Sequence, residues 1–116
     1  MRVYYAHPVS IYGTLCESRD IKTLQDLGFE VENPNTPEHT AAYEKVGMLH
    51  FFEVARKCDL CAFRSFASGE IGAGIADEIA VFTSAGKPVI ELPSGILRRT
   101  LGLGETRELL RDLGAR

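Results

Sequence analysis

Apolar positions along this chain change period several times, and the changes divide it into short alternating segments. RVYYA, from Arg2 to Ala6, is a β-branched and aromatic run halted by His7-Pro8, and it predicts a first strand. From Leu15 to Leu27 the apolar Leu15, Ile21, Leu24 and Leu27 recur near helical spacing, and Gly28 stands where a left-handed residue closes a helix. FEVEN sets Phe29 and Val31 against Glu30 and Glu32 and stops at Asn33-Pro34, which predicts a second strand. PNTPEHTAAYEKVG carries two prolines and several polar residues, so it reads as a loop or lid with room for one helical turn.

Met48 to Lys57 places Met48, Phe51, Phe52 and Ala55 at helical spacing and ends on the cations Arg56 and Lys57, which suit a helix C-terminus. CDLCAF is a near-continuous apolar run, as in a strand buried on both faces. A helix from about Ile75 to Ala85 follows, with Gly86 as its cap, then KPVIEL as a fourth strand stopped by Pro93. ETRELLRDLG closes the chain as an amphipathic helix.

The order β-α-β-α-β-α-β-α requires crossovers between parallel strands, so helices must cover both faces of the sheet. The expectation is a single-domain three-layer α/β/α fold, flavodoxin/Rossmann-like, with about four to five parallel strands. Such sheets bind ligands outside the carboxyl ends of the strands, where the strand order reverses. The loops after the first strand, after CDLCAF and after KPVIEL all emerge on that edge.

Composition narrows the partners. With 116 residues, 45% hydrophobic and 25% charged, the chain has room for one core and one domain, spanning 1–116. Its net charge is −3 and no Lys/Arg run is longer than a pair such as Arg98-Arg99, so nucleic acid and anionic membrane surfaces are poor partners and a small molecule suits better. MRVYYAHPVS has neither the apolar core nor the cleavage site of a secretory signal, and no stretch is long enough to span a bilayer. Three cysteines, Cys16, Cys58 and Cys61, then suggest reduced thiols in a cytoplasmic protein.

The densest chemistry lies in SGEIGAGIADEIAVFTSAGKPVI, from Ser68 to Ile90. Its glycines Gly69, Gly72 and Gly74 either serve tight turns or let a ligand approach the backbone at the start of a helix. Neither the Rossmann G-x-G-x-x-G nor the phosphate-loop G-x-x-x-x-G-K-[ST] is present, which disfavours those dinucleotide and NTP sites, and no cofactor is expected. At 100° per residue Ile75, Ile79, Phe82 and Gly86 form one stripe, with Glu78 at its flank, while Asp77 falls on the opposite side with Val81 and Ser84. Either acid could simply favour the helix start through the dipole. Only Glu78 leans toward the crevice.

Taken together, VYYA with a small-residue loop after it, CDLCAF, GAGIADE and GKPVI resemble the nucleoside 2-deoxyribosyltransferase-like family, which includes the 2′-deoxynucleoside 5′-monophosphate N-glycosidases. The resemblance covers most of the chain in the right order. It implies cleavage or transfer at an N-glycosidic bond, with Glu78 as nucleophile and a first-strand tyrosine, Tyr4 or its neighbour Tyr5, orienting it. A carboxylate there stabilises or captures the positive charge that develops at the sugar C1′. The resemblance also places a 5′-hydroxyl or 5′-phosphate at HPVSIYGT, through Ser10, Gly13 and Thr14, with Arg19 as a possible added charge. Ser68, Gly72 and Gly74 belong to the substrate loop.

The sequence departs from the family at several places. His7 and Pro8 stand where it has a glycine and a small residue, Glu53 is the nearest acid to its sugar-contacting aspartate, and Gly72 replaces a polar residue before the glutamate. Asp59 matches a strand-opening aspartate with a structural role. These departures support a second reading, a nucleotide-sensing module without catalysis. Family members complete each site with a neighbouring subunit, so at least a homodimer is expected, with Phe51-Phe52 and GILRRTLGLG as interface material.

Cys58 and Cys61 have the C-x-x-C spacing of zinc and redox sites, but inside a strand, residues three apart face opposite ways, so buried thiols are the better expectation and no metal is expected. His7, at the end of the first strand, reaches the crevice either as a ligand contact or proton carrier, or as a loop histidine bonded to backbone.

Overall fold

The computed structural model describes residues 1–92, 102–112 and 114. Four strands, β1 (Arg2–Ala6), β2 (Glu30–Glu32), β3 (Leu60–Phe63) and β4 (Val89–Glu91), form one sheet in the order β2-β1-β3-β4, and every pairing is parallel. Five helices connect and follow them: α1 (Leu15–Asp26), α2 (Pro37–Val46), α3 (Leu49–Arg56), α4 (Ala73–Ser84) and α5 (Leu103–Asp112). This is the expected α/β architecture of flavodoxin/Rossmann type. No helix among the described residues is long and apolar enough to cross a membrane.

Strand alternation splits the core in two. Val3 and Tyr5 pack with Leu24 of α1, Leu60, Ala62 and Leu92 on one face. Tyr4 and Ala6 pack with Cys61, Ala55 of α3, and Ile75 and Phe82 of α4 on the other. All four of these β1 side chains are fully buried, which is the two-sided burial expected of a central parallel strand. Asp59 plays the structural part expected of it: its carboxylate accepts from the Arg2 N–H at 2.8 Å, and its own N–H donates to the Arg2 carbonyl, aligning β1 and β3 at their starts.

Several local expectations change. The stretch read as a loop with one helical turn contains a ten-residue helix, α2. Thr36 caps it by accepting from the His39 N–H at 3.2 Å, and Pro37 occupies the first turn, where a missing N–H costs nothing. In α1 the expected apolar stripe is buried only in part: Leu24 is buried and Ile21 packs against the core, whereas Leu15 and Leu27 are exposed and the buried face also takes in Glu17 and Asp20. Val81, expected beside Asp77, instead packs half-buried against the core. Cys58 lies just before β3 rather than in it, and shares a cluster with Cys61, so the two thiols do not face opposite ways. Burial pushes the Cys58 thiol up to about 11 and the Cys61 thiol up to about 12, so both are neutral packing groups at neutral pH. Residues 93–101, which hold Arg98-Arg99 and most of GILRRTLGLG, lie outside the described residues.

The glycine expectations at helix ends hold, with Gly28 at φ +92° and Gly86 at φ +69°. Gly69 is also left-handed, at φ +86°, and its N–H donates to the Phe66 carbonyl at 2.8 Å, closing a turn ahead of α4. Gly69→Ala is therefore expected to cost about 1 kcal/mol. At Gly72 an added carbon would come no nearer than 3.5 Å to Phe66, an ordinary contact, so Gly72→Ala is expected to cost less than about 0.5 kcal/mol. Urea midpoints of the two variants check the contrast.

Candidate active site

The strand order reverses between β1 and β3, and a cavity of about 460 Å³ lies against the segments that leave their carboxyl ends. Its volume is in the range of small-molecule sites. The segment after β1 brings His7, Pro8, Val9, Ser10 and Tyr12 to the wall. Gly72, Gly74, Ile75 and Glu78 line it from the start of α4, with Phe66 from the loop before. Opposite stand Thr40 and Tyr43 of α2, and Met48 and Phe51 at the start of α3.

Glu78 sits one turn into α4 on the buried side, with 8% of its surface exposed, while Asp77 faces solvent as the helical phase requires. Its carboxylate accepts a hydrogen bond from the Tyr4 hydroxyl, which reaches across from β1. Burial raises the Glu78 carboxyl to about 7; the Tyr4 bond opposes that rise, and the nearby Asp77 adds to it. Tyr4 itself is pushed well above the usual phenol range, first by burial and then by the Glu78 charge, so it stays protonated and donates. Tyr4 does not line the cavity. It stands beneath the acid and orients it.

Tyr5, the one-residue alternative, points to the other face and donates to Asp20 at 2.5 Å. That carboxylate also accepts two bonds from the Arg64 guanidinium, at 2.5 Å each. The network explains why α1 buries polar residues: Asp20 is shared between β1 and the end of β3.

His7 lines the cavity, but both ring nitrogens are engaged. Nδ1 lies 2.9 Å from the Tyr5 carbonyl and Nε2 lies 2.7 Å from Glu17. The ring stacks on Tyr5, with centroids 3.8 Å apart, and Tyr12 tilts against it. Of the two roles open to His7, this geometry matches the bonded loop histidine. Burial opposes ionisation of Glu17, yet hydrogen bonds from His7, Asn35 and the Gly13 N–H outweigh it and hold the carboxyl below its usual range. Gly13, at φ +72°, and Thr14, which caps α1 through the Glu17 N–H at 3.4 Å, thus build the segment without lining the cavity.

Ser10, Gly72 and Gly74 do line it, with Glu78 and His7. Ser68 does not; its hydroxyl accepts from the Glu70 N–H at 3.3 Å in the exposed turn. Arg19 and Glu53 are exposed and away from the wall. Four aromatic wall residues fall outside the sequence-based set: Tyr12, Tyr43, Phe51 and Phe66. Tyr12 is the most telling, because its phenol is pushed up to about 12 by burial and then by the charges of Glu78 and Glu17. An aromatic residue inside an otherwise small-residue loop was its only sequence signal.

The α2 wall is tied in place by a chain of side chains. His39 Nε2 lies 2.9 Å from Glu32 of β2, and His39 Nδ1 lies 2.7 Å from His50 Nε2 of α3. Tyr43 and Phe51 pack together beside it, with ring centroids 5.5 Å apart. Among the described residues no group of three His, Cys, Asp or Glu side chains is placed to hold a metal ion.

No family model matches the chain, and no curated protein matches it. The chemistry of the site therefore rests on its geometry: a buried carboxyl titrating near neutrality, a phenol donor fixing it from below, and an aromatic cavity above. Such an acid can act as a nucleophile when ionised, or stabilise a cation that develops beside it.

Proposed function

We propose that this protein cleaves or transfers the N-glycosidic bond of a (deoxy)nucleoside or its 5′-monophosphate, with Glu78 as nucleophile. The observation that carries the reading is Glu78 itself, buried to 8% exposure at the cavity wall with Tyr4 bonded to its carboxylate. A Glu78 oxygen forms a bond to the sugar C1′ as the bond from C1′ to the base nitrogen breaks, and that electron pair leaves with the base. Water, or a second base, then attacks C1′ and releases Glu78. The proton lost by the attacking group ends on the departing base or in solvent. The flat walls of Tyr12, Tyr43, Phe51 and Phe66 suit a nucleobase, which stacks on aromatic faces.

The ionised fraction of Glu78 grows as pH rises through about 7, so kcat/KM is expected to climb between pH 6 and pH 8. Tyr4 holds the carboxyl down, so Tyr4→Phe is expected to move that inflection to higher pH as well as slow the reaction. Free-base release from deoxynucleosides, followed across pH, checks both. A slower variant with an unmoved inflection would leave Tyr4 a packing residue only.

His7 and Pro8 in the segment after β1, and the lack of an aspartate on α3, favour a second reading, a nucleotide-sensing module on the same fold. Tight binding without base release would decide for it. The expected assembly is at least a homodimer, and a monomeric mass in light scattering would remove that expectation.

A further inference from the structure

No residue of α2 is buried, so this wall of the main cavity is held by a few side-chain ties. The central tie is His39, which lies with Nε2 2.9 Å from Glu32 of β2 and with Nδ1 2.7 Å from Nε2 of His50 on α3. Two imidazole nitrogens at that distance share one proton, because one ring donates and the other presents a lone pair. With both rings neutral, His50 donates to His39 and His39 donates to Glu32. One added proton is still accommodated: His39 as an imidazolium donates to both neighbours, and the Glu32 carboxylate opposes its charge. A second added proton sets N–H against N–H and one cation against another.

We propose that His39 and His50 form an acid-released latch, which holds α2 over the cavity while the pair carries at most one added proton and lets it go when the pair carries two. The nucleoside identity of the cavity's ligand rests on the reading of Glu78 given above; the latch itself does not. Imidazoles are the side chains that gain charge in mildly acidic water, so the second proton is within reach of conditions that leave a fold intact. The charges around the pair suit one cation and not two. Arg2 of β1 bonds Glu32 at 2.8 Å and Glu30 at 3.1 Å, so these three groups together carry one negative charge. Cys58, whose thiol is raised to about 11 by burial and then by the Glu32 charge, adds none. Lys57, which shares a small surface pocket with Arg2 and Glu32, adds a positive charge. Glu38, Glu44 and Lys45 of α2 and Glu53 and Arg56 of α3 are exposed, and their side chains bond neither ring among the described residues. The backbone supplies a place to turn: Gly47, between α2 and α3, stands at φ +70° and ψ −153°, a region essentially confined to glycine. Release widens the cavity at Thr40 and Tyr43, the two α2 residues that line it.

The test is hydrogen exchange of the α2 amides, residues 41–46, in the full chain without substrate, expressed as protection relative to an unstructured chain at the same pH. Release coupled to uptake of one proton changes the open fraction up to about tenfold per pH unit, so protection in α2 is expected to fall about tenfold or more from pH 7.5 to pH 5 while β1 and β3 keep theirs. His50→Gln separates the latch from other effects of acid, because its amide offers either an N–H or a carbonyl to His39 Nδ1, whatever that ring's protonation. This variant is expected to hold α2 protection nearly level between the two pH values. His50→Ala offers neither group and is expected to show the low protection at both, with β1 and β3 still protected. The third histidine, His7, pairs with Glu17, which also accepts from Asn35, ahead of α2, at 3.0 Å. Acid acting there would lower α2 protection in His50→Gln as much as in the parent, and that result would overturn the latch. Equal protection of the parent at both pH values would overturn it too. A latch that behaves as described in a protein that releases no base would stand while the glycosidase reading is removed, and base release with an α2 indifferent to acid would do the reverse.

Discussion

Glu78→Gln is expected to silence base release by roughly a thousandfold or more, because the amide can neither attack C1′ nor carry the countercharge. The same variant is expected to be more stable than the parent above pH 7. The sign follows from the raised carboxyl: about 7 in the folded protein against an ordinary 4.5. Below pH 4.5 both states hold the proton and Glu78 contributes no penalty. As pH rises from 4.5 to about 7 the unfolded chain releases its proton more readily, and stability falls. Above that the penalty is complete, on the order of 3 kcal/mol. Thermal melts at pH 4 and pH 8 check the prediction: the variant should gain at pH 8 and not at pH 4. A loss of stability at pH 8 would show that the folded protein prefers the charged acid, contrary to its burial.

Asp20→Asn gives the largest expected stability loss. It leaves Arg64, 5% exposed, without the carboxylate that takes two of its nitrogens. Breaking one side of a buried ion pair costs on the order of 3–5 kcal/mol, a large share of a typical domain's stability. Replacing the whole network with apolar groups, as Asp20→Leu with Arg64→Met and Tyr5→Phe, is expected to cost far less than the single change. Urea denaturation of the single and triple variants measures the difference. A triple variant as unstable as Asp20→Asn would mean that the pair is worth more than the cost of burying it.

The fold was legible where the local pattern and the tertiary environment ask for the same thing. RVYYA and CDLCAF are apolar apart from Arg2 and Asp59, and β1 and β3 are the two central strands. Helical phase separated Glu78 from Asp77 because α4 has an apolar side to set the phase, Ile75 and Phe82. In α1 the same reasoning found Ile21 and Leu24 but misplaced the ends of the buried face. That face includes Glu17 and Asp20, and the partners that permit their burial, His7 and Arg64, lie ten residues upstream and 44 residues downstream. A periodicity of apolar residues cannot register such pairings.

The site was legible in part for a related reason. Glu78, Tyr4, His7, Ser10, Gly72 and Gly74 come from segments that the topology brings to one crevice, and the family resemblance singled out Tyr4 and Ser10 among them. The aromatic walls come from separate segments between Tyr12 and Phe66, and each reads locally as ordinary core or loop. The lid shows the limit most clearly. Thr36-Pro37 carries a helix-start signal that the surrounding prolines and polar residues obscured, and α2 supplies Thr40 and Tyr43 to the cavity.

The tyrosines of β1 are neighbours in sequence and serve opposite faces of the sheet, Tyr4 the acid at the cavity and Tyr5 the Asp20–Arg64 pair. A slip of one residue in the pairing of β1 with β3, now Tyr4 beside Cys61 and Tyr5 beside Ala62, would exchange the two faces. One hydroxyl would then leave Glu78 and the other the buried ion pair, in a single event. An insertion or deletion in this strand is therefore expected to do two things at once: a shift of frame that freed Glu78 from Tyr4 would also unfasten the Asp20–Arg64 pair, so a misregistered chain would betray itself by lost stability.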